Sequence, residues 1–391
     1  MSLADFFVPV DPSLYIFQDQ FVNSQLGKHI QYFKDIFPDV SQADIAMFGI
    51  RDSRQSVNNA GCDYAIENFR QEFARLFIGQ YKPKIVDLGD ILAGDRTEDT
   101  YAAVRVVVEE LIRQGIVPVL IGGGQDITYA QYQAYEHLEQ KVDLVVIDSR
   151  FDLEEDDPNS QVTTSYSYLS KIMLHEPNYL FNFSNIGYQT YLVGPDSLEF
   201  FNKLYFDTYR LGTFQGNLEK AEPVLRNADM ISFDIGAIRA SDAPANRNAG
   251  PNGFYGEDAC QLCRYAGMSD KLSSIGFYEM NPGEDRNNQT AALLAQMVWY
   301  FVDGYYQRKK DFPLQPKSAY IIYRTSIQDY DHELVFVKSK KSDRWWLQVP
   351  YPNTKSVNDR YHMVPCSYAD YETAVKGEMP DLWLRTYQKL A

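Results

Sequence analysis

Short apolar runs recur along the first three quarters of the chain, at Ile45–Ile50, Lys84–Leu88, Ile116–Ile121, Asp143–Asp148, Ile186–Val193, Met230–Ile235 and Ser274–Met280. Runs of this length, bounded by polar or glycine-containing stretches, predict strands. Between the second and third, Val104, Val107, Val108, Leu111 and Ile112 fall on one helical stripe that Gly115 closes. That spacing predicts an amphipathic helix with a glycine C-terminus. A further helix is expected after Asp126, and a long one from about Asn288 to Val302. Alternating strands and helices imply right-handed crossovers and a parallel sheet covered on both faces. The expected fold class is therefore α/β, with three α/β/α layers around a mainly parallel sheet.

The two ends read differently. Residues 1–43 contain Pro9, Pro12 and Pro38 and predict an extension outside the sheet. Residues 44–314 form the α/β domain. Residues 315–391 predict an appendage in which Leu334–Val337 and Trp345–Val349 flank a polar turn, as in a hairpin. A polar, proline-containing segment follows, then a short helix near Leu382–Leu390.

Composition narrows the function classes. The 391 residues include 37 Lys and Arg against 53 Asp and Glu, a formal charge of −16. So acidic a surface repels phosphate backbones and anionic lipid, so neither nucleic-acid binding nor membrane association is expected. No run of 18 apolar residues occurs, so no membrane insertion is expected. The first basic residue is Lys28, which leaves no positive n-region and makes the cytoplasm the expected location. Of four cysteines only Cys260 and Cys263 have metal-like spacing, and two thiols fall short of the four ligands zinc needs. They are expected to pack as small apolar groups.

Ligand sites in an open parallel sheet lie beyond the carboxyl ends of its strands. Four strand ends here are polar: Gly122-Gly123-Gly124-Gln125-Asp126, Asp148-Ser149-Arg150-Phe151-Asp152, Asp234-Ile235-Gly236, and Glu279-Met280-Asn281-Pro282. The triple glycine matches neither the dinucleotide fingerprint nor the phosphate loop, so no nucleotide cofactor is expected. Asp148, Asp152 and Asp234 would converge, either as a divalent-metal site or as a compensated structural network.

These motifs, with Gly49, an Asn59-Ala60-Gly61 turn leading to Arg70, Asp87-Leu88-Gly89-Asp90 and Thr290-Ala291, resemble those of the ureohydrolase family of arginase, agmatinase and formimidoylglutamase. The resemblance runs from about Asp44 to Gly304 and implies the arginase-like fold. It also implies two manganese ions bridged by a hydroxide that attacks a guanidinium or formimino carbon. Their ligands would come from Gly-Gly-Asp-His-Ser, Asp-Ala-His-x-Asp and Ser-x-Asp-x-Asp motifs. On this chain those ligand positions fall on Gln125, Asp148, Arg150, Asp152, Asp234 and Gly236, while a further Asp-Pro pair falls on Arg239-Ala240. Glu279 matches the glutamate that salt-bridges the substrate guanidinium.

Both imidazole ligands are thus replaced, and a guanidinium has no lone pair for a metal. We expect Arg150 to fork onto Asp148, Asp152 or Asp234 and supply the charge that the metals supplied. The reading that follows is a pseudoenzyme without cofactor, with a structural, regulatory or partner-binding role through the aromatic appendage. One alternative is an active amidine hydrolase of the arginase or formimidoylglutamase type. It would hold one manganese or magnesium ion on Gln125 and the three aspartates. Another is a sensor that binds a guanidinium compound at Glu279 without hydrolysing it. A homo-oligomer is compatible with all three. Of the five histidines, His29, His137, His175, His332 and His362, none sits in a strand-end motif; His175 follows the second motif in a stretch where the resemblance implies a catalytic histidine, the alternative being an exposed loop residue.

Overall fold

The computed structural model describes residues 2–15, 21–154, 163–313, 317–327, 333–351 and 363–390. Nine strands form its central sheet. They are β1 (Gln31–Tyr32), β2 (Ile45–Arg51), β3 (Ile85–Leu92), β4 (Val117–Ile121), β5 (Val142–Ile147), β6 (Leu180–Tyr188), β7 (Asp207–Arg210), β8 (Met230–Asp234) and β9 (Ser274–Tyr278). Their spatial order is β1-β3-β2-β4-β9-β8-β5-β6-β7, and every neighbouring pair is parallel.

Parallel pairing leaves no polar face, which is why these strands are buried on both sides. Against one face pack helices Ala65–Arg75, Gly256–Gly267 and Gln289–Tyr306. Against the other lie Thr97–Arg113 and Ile127–His137. The predicted stripe Val104, Val107, Val108 and Leu111 is fully buried there. Cys260 and Cys263 are free, buried thiols on the first face, as expected of small apolar groups. The three-layer α/β/α arrangement therefore stands.

Two expectations need correction. The N-terminal extension is not outside the sheet: Gln31–Tyr32 pairs with β3, and Val8 exchanges backbone hydrogen bonds with Asp90. A two-residue strand carries no periodicity, so the sequence pattern could not show it. The run assigned to Ile186–Val193 sits too late. The strand begins at Leu180, and the polar Asn182, Ser184 and Asn185 inside it disguise its start. The short polar edge strand β7 was hidden for the same reason.

The C-terminal unit is an antiparallel sheet of β10 (Tyr320–Ser326), β11 (Glu333–Ser339), β12 (Trp345–Gln348) and β13 (Met363–Cys366), with helices Tyr368–Val375 and Asp381–Leu390. The predicted hairpin is β11–β12. The polar segment after it lies mostly outside the described residues. Arg226, buried in the body, stacks 4.6 Å from the Trp346 ring and donates to the carbonyls of Trp345 and Cys366. Trp345, Trp346 and Trp383 are buried, so these aromatic side chains serve packing and docking. Among the described residues no helix is long and apolar enough to cross a membrane.

Candidate functional site

Strand order explains why the four polar motifs meet. β4, β9, β8 and β5 are consecutive neighbours, and their carboxyl ends carry Gln125, Glu279, Asp234 and the Asp148–Asp152 turn respectively. Gln125, Glu279, Asp148 and Asp152 are almost wholly buried, while Asp234 and Arg150 are partly exposed as residues.

The triple glycine serves this convergence. Gly123 has φ +77°, and a Cβ there would lie 2.9 Å from the Asp52 carbonyl. Such a turn lets the Gln125 backbone N–H reach the Glu279 carboxylate (2.9 Å), while Glu279 N–H donates to the Gly123 carbonyl (3.0 Å). Two non-glycine residues also adopt left-handed conformations, Asp152 (φ 50°) and Glu279 (φ 66°). Such conformations cost roughly 1 kcal/mol or more each and persist where surrounding structure enforces them.

At the centre lies the Gln125 side chain. With its nitrogen facing inward, the amide is 3.1 Å from Asp148 Oδ2, 3.2 Å from Asp152 Oδ2 and 3.2 Å from Asp234 Oδ2, and its oxygen accepts from the Tyr168 hydroxyl at 3.2 Å. The partners dictate this orientation, because the reverse would set the amide oxygen against three acceptors. An NH2 group has two hydrogens, so three carboxylates cannot all be served at once. Asp148 and Asp152 face each other, and a proton on one of them would relieve their repulsion. Burial, then the Asp148 charge, raises Asp152 well above the usual carboxylate range. Burial also raises Asp148, Asp234 and Glu279. The outer oxygens are held separately. Asp148 Oδ1 accepts from the Arg150 backbone (3.0 Å), and Asp234 Oδ1 accepts from Gly236 N–H (2.6 Å) and Asn246 (3.2 Å).

Arg150 is not where the sequence suggested. It makes no ion pair with Asp148, Asp152 or Asp234; its guanidinium lies 5.5 Å from the Tyr166 ring at the mouth of the site. The physical reason is backbone geometry. The Arg150 N–H turns back onto Asp148, and Asn185 captures the Arg150 carbonyl (3.0 Å), which directs the side chain outward. Its charge is felt at Asp148 and Asp234, but as a smaller influence than burial. Arg239 likewise points elsewhere, pairing with Asp242 (2.8 Å) over the Tyr255 ring.

Glu279 needs neither arginine. It accepts from Ser56 (2.5 Å), Asn59 (2.8 Å) and the Gln125 backbone. His175 faces away from the cluster, between the Tyr129 hydroxyl (3.0 Å) and Glu136 (2.8 Å). His137 contacts Arg105, His29 contacts the Asn23 carbonyl, and His332 and His362 lie outside the described residues. Ser56, Tyr168, Asn185 and Asn246 were not singled out from sequence; none belongs to a quoted motif. Asn59 was, but only as part of a turn.

The family's two-metal centre can be tested against these residues. Gly236 supplies no ligand, and a Cβ there would meet Asn246 Nδ2 at 3.0 Å and Asp234 Oδ1 at 3.1 Å. Gln125 fills the midpoint, Arg150 contributes no donor atom, and the space left is a cavity of about 10 Å³, room for about one water. Among the described residues no three His, Cys, Asp or Glu side chains are placed to hold a metal ion. The residues do not fit a manganese pair.

Residues 43–303 match the model of the arginase family. The formimidoylglutamase of Staphylococcus haemolyticus (strain JCSC1435) is 27% identical over 243 residues, spanning 60% of this chain and 76% of that protein. The formimidoylglutamase of Staphylococcus aureus (strain JH9) is 26% identical over 250 residues, with the same coverage. Among solved structures, Trypanosoma cruzi formiminoglutamase with Mn2+ superposes with a TM-score of 0.64 at 20% identity, covering 69% of this chain and 96% of that one. The agmatine ureohydrolase of Thermoplasma volcanium gives 0.59 at 22%, covering 75% and 98%.

Proposed function

The chain belongs to the arginase family, and we propose that its strand-end site has exchanged the metal-activated hydrolysis of that family for a metal-free, hydrogen-bonded carboxylate cluster. The protein then acts in a structural, regulatory or partner-binding role. The observation that carries this reading is the Gln125 amide, within 3.1–3.2 Å of three carboxylates. It supplies donors where a metal would supply charge, and protonation of Asp152 supplies the remainder. Arg150 contributes only at a distance.

The second reading is a metal-dependent amidine hydrolase, and the curated relatives, formimidoylglutamases, favour it. One feature of the site supports it as well. If the Gln125 amide turns, its oxygen joins the three aspartate oxygens at 3.1–3.2 Å, and its nitrogen reaches Ser232 Oγ at 3.4 Å. Gln125, Asp148, Asp152 and Asp234 are the residues that would have to close in on one ion, since the three carboxylates are not placed to hold one as they stand; the ion would supply Lewis-acid activation of an amidine or of water.

Equilibrium dialysis against Mn2+, elemental analysis, and assays with N-formimidoyl-L-glutamate, agmatine and arginine separate the two. The first reading expects no stoichiometric manganese and no turnover. Stoichiometric manganese together with turnover of any of the three would overturn it. Thermal stabilisation by one of these compounds without turnover would mark the site as a sensor.

A further inference from the structure

A second cavity, of about 220 Å³, lies where the C-terminal unit meets the body. It sits towards the amino ends of β5, β6 and β7, at the opposite end of the sheet from the carboxylate cluster. Its walls are unlike a packing void. Ser184 and Thr386, 3% and 7% exposed, are among its lining residues. Hydroxyls on such a wall can meet water or a ligand.

Charges of both signs line the same space. Lys389, 9% exposed, donates to Asn182 Oδ1 (2.5 Å) and lies 3.4 Å from Asp207, which leaves one ammonium hydrogen unassigned. Asp207 also faces Arg385 at 3.4 Å, so one carboxylate is shared between two cations. Asp370, also lining the cavity, caps the helix Tyr368–Val375 by accepting from the N–H and hydroxyl of Ser367, and among the described residues it makes no ion pair. Phe181, Val224 and Leu382 supply an apolar wall.

We infer that this junction cavity binds a zwitterionic α-amino acid with an apolar side chain of about leucine size. Its carboxylate meets the Lys389 ammonium and the Ser184 and Thr386 hydroxyls. Its ammonium meets Asp370, and its side chain covers the apolar wall. The volume, worth about seven waters at about 30 Å³ each, suits a molecule of about nine heavy atoms. Burial lowers the Lys389 pKa, against the opposing pull of the Asp207 and Asp143 charges. Because the ligand touches β6 of the body and the last helix of the C-terminal unit, its binding ties the two together. The inference is independent of the strand-end site.

Calorimetry on the full chain tests it with four probes: L-leucine, L-methionine, 4-methylpentanoate and 3-methylbutylamine. Saturable binding of at least one of the amino acids is expected, with Kd of about 1 mM or tighter, and each single-charge analogue about tenfold or more weaker than L-leucine. Lys389→Met and the double variant Ser184→Ala, Thr386→Val should each weaken the binding about tenfold. The double variant removes two hydroxyls without adding bulk and keeps the test valid if Lys389→Met fails to fold. No saturable heat from either amino acid, equal binding of an analogue, or unchanged affinity in the double variant would each overturn the inference.

Discussion

Replacing Asp152 with asparagine asks whether the cluster holds protons. Burial and the neighbouring Asp148 charge lift Asp152 well above the usual carboxylate range. A native carboxyl so lifted binds more proton than its unfolded counterpart once the pH exceeds about 4. The stability this proton supplies is complete below the unfolded value of about 3.9 and drains away as pH climbs through the folded value. Each proton retained changes the unfolding free energy by about 1.4 kcal/mol per pH unit. The total loss follows how far the folded value lies above the unfolded one. Asparagine keeps the shape and can donate to Asp148, but it does not ionise. Urea unfolding of both proteins at four values between about pH 5 and pH 8, in chelator-treated buffer, measures the difference. The wild type should lose stability as pH rises, and Asp152→Asn should lose less and become the more stable protein at the alkaline end. Parallel slopes would refute proton retention at Asp152, and a wild type that gains stability with pH would refute the burial argument itself.

Restoring Gln125→His, Arg150→His and Gly236→Asp together should create manganese affinity measurable by equilibrium dialysis. Asn246 must yield, since a Cβ at Gly236 meets it at 3.0 Å; no binding after all three changes would show that the cavity has closed. Arg70 is buried between Asp87 and Asp90, each contacted at 2.7 Å. Arg70→Met leaves Asp87 buried without a cation, while Asp90 keeps Arg51 at 3.3 Å, and should cost about 3–5 kcal/mol in urea unfolding.

The strand-helix alternation made the α/β fold legible, because parallel strands buried on both faces leave apolar runs whatever their partners. The polar strand ends were legible too: Gln125, Asp148, Asp152, Asp234 and Glu279 do converge, since they cap four neighbouring strands. What the sequence alone could not decide was which side chain occupies the centre. Arg150 carried the more obvious charge, yet one backbone hydrogen bond to Asp148 and one from Asn185 send it outward, and the uncharged Gln125 takes the middle. Direction at that scale depends on φ and ψ at Asp148–Asp152 and on an asparagine more than thirty residues away in an adjacent strand, neither of which leaves a mark in residue type or spacing. The junction cavity was equally invisible, since Ser184 and Thr386 are about two hundred residues apart and meet only once the C-terminal unit has docked.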